Sequence, residues 1–177
     1  MPAITFTTRL STIGTWTILR LPDSASTMLP SRGMNAVEGT INGQPFQTVL
    51  EPDGRGGHWF RVAVALQKIA EVKSSDLVTL AITISGTCPE PDVPEDLGNA
   101  LAEDPLVQER WNAVTPLARW DWIRWIRATK NPETRKQRIA RACSMLGAGK
   151  RRPCCFNRNI CTETAVSHNG VLLDPEN

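Results

Sequence analysis

The sequence predicts an α+β protein, a small N-terminal β-barrel followed by a C-terminal α-helical segment. Three observations carry that expectation. The first half alternates apolar and polar residues in short runs broken by Gly, Asn and Pro, the period-two pattern of half-buried strands. A proline cluster, Cys88-Pro-Glu-Pro-Asp-Val-Pro94, then stiffens the chain. Beyond it, apolar residues recur every three or four positions, as an amphipathic helix requires.

Ile4 to Ser11 and Thr15 to Leu21 alternate as strands, and Pro22 ends the second. Ser24 to Leu29 reads as one short helical turn before Pro30 and Gly33. Ala36 to Ile41 and Gln44 to Leu50 flank Asn42-Gly43; Asn-Gly between alternating runs predicts a type I′ hairpin, because both turn residues need positive φ. Pro45 must sit where the ladder needs no N–H. Asp53-Gly-Arg-Gly-Gly57 is a flexible turn into a strand from His58 to Val64, and Leu66 to Val72 suits a short helix. Leu77 to Ile84 is β-branched and alternating, a further strand. About six strands joined by tight turns suggest a small barrel or sandwich with closed edges.

After the linker, Pro94-Glu-Asp opens a helix with proline at its first position and acids facing the dipole. Leu106 to Val114 forms a second, and residues 116–129 a third, with Trp122, Trp125 and Ile126 on one stripe and Arg119, Arg124 and Arg127 elsewhere on its surface. Asn131 caps a fourth, with Pro132 at its first position, Ile139, Ala142, Cys143 and Leu146 facing inward, and Gly147 and Gly149 as its stop. The chain divides into a barrel domain (1–88), a basic helical segment (89–152) and a cysteine-containing tail (153–177), where no periodicity is visible.

With 177 residues, 41% hydrophobic and 21% charged, the chain can bury about 70% of its extended surface without disulfide or metal support. No apolar run approaches the ~20 residues of a membrane-spanning helix. Met1 to Leu10 alternates apolar residues with Thr and does not read as a signal peptide, so the expectation is a cytoplasmic protein whose five cysteines stay reduced. The net charge of +2 conceals a division. Residues 1–114 hold 8 basic and 13 acidic side chains, residues 115–158 hold 12 and 2, and residues 159–177 add three acids.

Several motifs look familiar together: Val37-x-Gly-Thr-Ile-Asn-Gly43, Gly57-His58 after a glycine turn, Val93-Pro-x-Asp-Leu97, Trp125-Ile126, and Glu133-Thr-Arg-Lys-Gln-Arg-Ile139 followed by Gly149-Lys-Arg. In this order, across residues 5–152, they resemble the YdeI/OmpD-associated, or bacteriocin-protection, family with an N-terminal domain of unknown function 1905. The resemblance implies a β-barrel followed by helices and a link to resistance against cationic antimicrobial peptides and envelope stress in bacteria. It supplies no catalytic residue, and the tail from Pro153 lies beyond it.

Three constellations could carry function. The basic helices come first: Arg124, Arg127, Lys130, Arg135, Arg138 and Arg141 are candidate anion ligands, with tryptophans near enough to stack bases. An anionic protein, nucleic acid or envelope component would then be the partner. The bland reading pairs these arginines with the acidic stretch Glu90, Asp92, Glu95, Asp96, Glu103, Asp104 and Glu109. The second constellation is Cys154, Cys155, Cys161 and His168, a ligand set chemically suited to zinc but spaced unlike any familiar module. Lysines and arginines nearby would favour thiolates, for metal binding or redox reactivity. The third is His58, which a glycine loop could present at a pocket mouth; a structural role is the bland reading. The glycines match neither a P-loop nor a dinucleotide fingerprint. The leading expectation is a non-enzymatic binding or stress-protection protein, with nucleic-acid binding and a metal- or redox-responsive tail as alternatives.

Overall fold

The computed structural model describes residues 2–176 and resolves two compact units, one of sheet and one of helices. The sheet unit runs to Pro89 and takes in Arg158–Cys161 and the chain from Ala165; the helical unit comprises Glu90–Asn157 and Thr162–Thr164.

Seven strands build the sheet unit: β1 (Ile4–Arg9), β2 (Ser11–Ile13), β3 (Trp16–Arg20), β4 (Asn35–Ile41), β5 (Gln44–Pro52), β6 (His58–Arg61) and β7 (Leu77–Ile84). They pair antiparallel in the order β1-β7-β4-β5-β6-β3-β2. The first and last strands of that order are consecutive in the chain, separated only by Leu10, so the sheet must curl. It curls into a half-barrel. Among the described residues no ladder joins β1 to β2, which follow each other through Leu10, and of the barrel expected from the sequence the half-barrel is what the structure shows.

The Asn42-Gly43 turn has φ of 47° and 83°, as its hairpin demands. Gly39 is required by proximity instead, since a Cβ there would lie 1.9 Å from the Ala81 carbonyl oxygen of β7. The expected strand from Thr15 begins at Trp16 because Gly14, at φ 59°, turns the chain between β2 and β3. The strand from His58 ends at Arg61, and α2 (Val64–Ala70) starts earlier than the sequence suggested. The short turn after Pro22 is α1 (Asp23–Ser26).

The main core of the sheet unit buries Ile4, Leu19, Val37, Ile41, Phe60, Leu80 and Ile82. A second cluster joins Ile13, Ile18 and Trp59 to Cys161, Val166 and Leu172 from the tail. That tail forms a hairpin, β8 (Ser167–His168) and β9 (Val171–Leu172), turned by Asn169 at φ 51° and Gly170 at φ 79°.

The helical unit contains α3 (Glu95–Ala102), α4 (Pro105–Ala113), α5 (Pro116–Arg127) and α6 (Pro132–Gly147). Three helices begin alike, with a side-chain cap before a first-position proline. Asp104 accepts from Leu106 N at 2.9 Å, Thr115 from Ala118 N at 3.2 Å, and Asn131 from Glu133 N at 2.9 Å. Leu97, Leu101, Trp111, Trp122, Ile126, Ala142 and Leu146 make the core. No helix among the described residues is long and apolar enough to cross a membrane.

Candidate binding groove

The helical unit is held by charges that come from its own motifs. Asp96, from the Val93-Pro-x-Asp-Leu97 motif, takes Arg135 of the Glu133–Ile139 signature in a forked pair, at 2.7 Å from Nε and 3.0 Å from Nη2. A bidentate guanidinium–carboxylate pair fixes orientation as well as distance. Its hydrogen bonds and charge hold the Asp96 carboxyl below the usual carboxylate range and push Arg135 higher. Arg138, one turn on, donates to the Trp125 carbonyl at 2.7 Å, with its guanidinium 5.7 Å from that indole ring. Thus α6 is tied to α3 by one signature arginine and to α5 by the other.

Deeper still, Arg124 is fully buried and pairs with Asp121 at 3.6 Å, while Arg152 reaches the same carboxylate. A charge this enclosed needs a partner. Arg119 binds Glu90 at 2.9 Å, and Arg127 binds Glu163 and, at 3.1 Å, the Thr162 hydroxyl.

Where α3, α4 and α6 diverge they leave a groove of about 630 Å³, a size that small ligands and peptide side chains occupy. Ala100, Val107, Ile139 and Cys143 floor it; Glu103 and Asp104 form one lip, and the Asp96–Arg135 pair with Lys136 the other. Among the described residues, neither Glu103 nor Asp104 makes an ion pair; the Asp104 carboxylate accepts only the capping N–H of Leu106. Their field reaches the interior. Burial raises the Cys143 thiol first, and the charges of Glu103 and Asp104 raise it further. The groove therefore pairs an apolar floor with one acidic lip, facing a lip that carries Arg135 and Lys136.

The six basic residues expected to bind anions fall into different roles. Arg124, Arg127, Arg135 and Arg138 have the internal partners just described. Lys130 and Arg141 are exposed, and the Arg141 guanidinium lies 5.7 Å from the Trp125 ring centre. The expectation that Arg124 lies on the helix surface is corrected, because its whole side chain is enclosed in the helical core.

His58 is buried, at 1% exposure, and does not open on a pocket mouth. Its Nε2 lies 3.1 Å from the Ser31 carbonyl and 3.0 Å from that of Gly33, so this nitrogen donates and the ring pins the loop before β4. Desolvation lowers its pKa, which keeps the ring neutral.

Cys161 is buried in the sheet unit's second cluster and His168 is exposed on β8. Cys154 and Cys155 are exposed in the helical unit, and no three His, Cys, Asp or Glu side chains gather as a metal site among the described residues.

Fold and groove define a two-domain protein, an antiparallel half-barrel followed by a charge-clamped helical domain. Residues 6–82 match the domain of unknown function DUF1905, and residues 90–149 match the family described as bacteriocin-protection, YdeI or OmpD-associated. No curated protein matches the chain.

The groove itself escaped the sequence. Helical period identifies Ile139 and Cys143 as an inner stripe, but not that one edge of this stripe stays uncovered. The usable signal was the position of Glu103 and Asp104 at the α3–α4 junction, beside apolar Ala100 and Val107.

Proposed function

We propose that the protein is a non-enzymatic binding protein of bacteriocin protection, whose helical groove takes an amphipathic cationic peptide segment. The observation that carries this reading is the union of an apolar floor with the unpaired carboxylates of Glu103 and Asp104. Apolar side chains of the segment would bury on Val107 and Ile139 while its lysines or arginines meet the acidic lip. The family description, bacteriocin protection, supports a peptide ligand of this kind. Binding is favoured over catalysis because Cys143 and Ser144 line the groove without a histidine to activate either, and the thiol is held protonated.

Titration of the full chain with a synthetic helix carrying a leucine face and a lysine face tests the reading. Affinity is expected to fall with salt, since exposed charges are screened beyond about 8 Å at physiological ionic strength. The double variant E103Q/D104N, which keeps the α4 cap, is expected to weaken binding at least about tenfold at low salt, the equivalent of roughly 1.4 kcal/mol. Equal affinity of variant and native protein would refute the reading. A second reading, an anionic partner, rests on Lys130, Lys136 and Arg141, which remain exposed. Salt-sensitive retention on nucleic acid, abolished by K130Q/K136Q/R141Q, would favour it instead.

A further inference from the structure

Adjacent side chains of an extended chain point to opposite sides, yet Cys154 and Cys155 converge. Cys155 has φ 58°, in the left-handed region, and the turn brings the two Sγ atoms to 3.1 Å. Both thiols are exposed. The segment that presents them is anchored on either side. Upstream, Arg152 pairs with buried Asp121 and the Arg151 carbonyl accepts from Trp122 Nε1 at 3.0 Å. Downstream, Phe156 packs on the helical core with its ring 5.5 Å from the Arg124 guanidinium. The dithiol is preorganised.

Its bite is short for a tetrahedral ion. Two sulfurs each about 2.3 Å from a tetrahedral zinc stand about 3.8 Å apart, whereas bonds of that length at a right angle place them about 3.3 Å apart. The observed 3.1 Å suits a pyramidal, three-coordinate centre with near-right angles. No third His, Cys, Asp or Glu joins the pair among the described residues, as a four-ligand ion would need.

We propose that Cys154 and Cys155 form a two-thiol binding site for trivalent arsenicals. In the binding step a hydrated arsenoxide, R–As(OH)₂, condenses with both thiols. Two As–S bonds replace two As–O bonds, each hydroxyl leaves as water with a thiol proton, and arsenic stays trivalent. The hydrogen bond and charge of Cys154 push the Cys155 thiol up, with Arg141 acting against them. A thiol held protonated reacts slowly with peroxide, whose attacker is the thiolate, but condensation removes both protons as water.

Phenylarsine oxide added to the reduced full chain, followed by native mass spectrometry, tests the site. One arsenical per chain is expected, retained against excess glutathione and released by 2,3-dimercaptopropanol. C154S and C155S should each lose at least about 100-fold in retention, because the second bond is intramolecular. C143S should retain the probe as the native protein does. C154S and C155S, at exposed positions, should melt with the native protein, which separates loss of the site from loss of fold. Release by glutathione, undiminished retention in either single variant of the pair, or zinc held more tightly than the arsenical would overturn the proposal.

Discussion

The two units use their motif residues in opposite ways. In the half-barrel those residues shape the backbone: Gly39 lets β4 approach β7, Asn42 and Gly43 turn the hairpin, and His58 pins a loop through two carbonyls. In the helical unit they act through charge, with Asp96 on Arg135 and Arg138 on the Trp125 carbonyl; outside the motifs, Asp121 pairs with Arg124 in the same way. The difference follows from geometry. A sheet satisfies its own backbone polar groups and is limited by how closely strands approach. Four short helices share few backbone bonds, so side chains must fix how they cross. The arginines that make the helical segment look like an anion-binding surface are in large part its internal clamps.

The largest break in that comparison is D121A. It removes the Asp121 carboxylate from buried Arg124 and from Arg152, and unfolding by denaturant should show a loss of about 3 kcal/mol, confined to the helical unit by hydrogen exchange. In the half-barrel the matching test is G39A, whose methyl would press on a backbone carbonyl. A loss of about 3 kcal/mol is expected, with G86A, which meets nothing within 4 Å, changing stability by no more than about 0.5 kcal/mol. D96N removes a forked pair whose carboxylate is half exposed, and solvent screening limits the cost to about 1 kcal/mol or less.

Acid should separate the units further. The folded pKa of His58 is depressed from 6.5, so the unfolded chain binds the extra proton and stability falls as pH drops through 6.5 and below. Asp96 has a folded pKa depressed from 3.8, so its contribution persists above that pH and disappears only as pH falls further toward the folded value. Residue-resolved hydrogen exchange from pH 7 to 5 should find the strands around His58 loosening while α3 and α6 hold. Loosening of α6 first would contradict this assignment of roles.

What the sequence disclosed and withheld divides along the same line. Local chemistry was legible: Asn42-Gly43 as a hairpin, Leu77 to Ile84 as a strand, and Asn131-Pro132 as a helix start, each set by neighbouring residues. Asn169-Gly170 carried the same turn signal, but its two-residue strands are too short to show alternation. The period-two pattern identified strands without saying how far the sheet closes, so it reached the curled sheet but not its extent. Charge counts along the chain placed the positive segment correctly. They could not show that Arg124 turns inward, that Glu90 and Asp96 find arginines, or that Glu103 and Asp104 do not. Those are properties of three segments in space. The groove is likewise a gap between α3, α4 and α6, and no single stretch of sequence contains it.

Amide chemical-shift mapping of the full chain with the leucine- and lysine-faced helix is the most direct test of which surface the helical unit offers. Perturbations gathered at Glu103, Val107, Ile139 and Cys143, with Lys130 and Arg141 unmoved, are the predicted result. Shifts gathered instead around Lys130 and Arg141, with the groove silent, would contradict it.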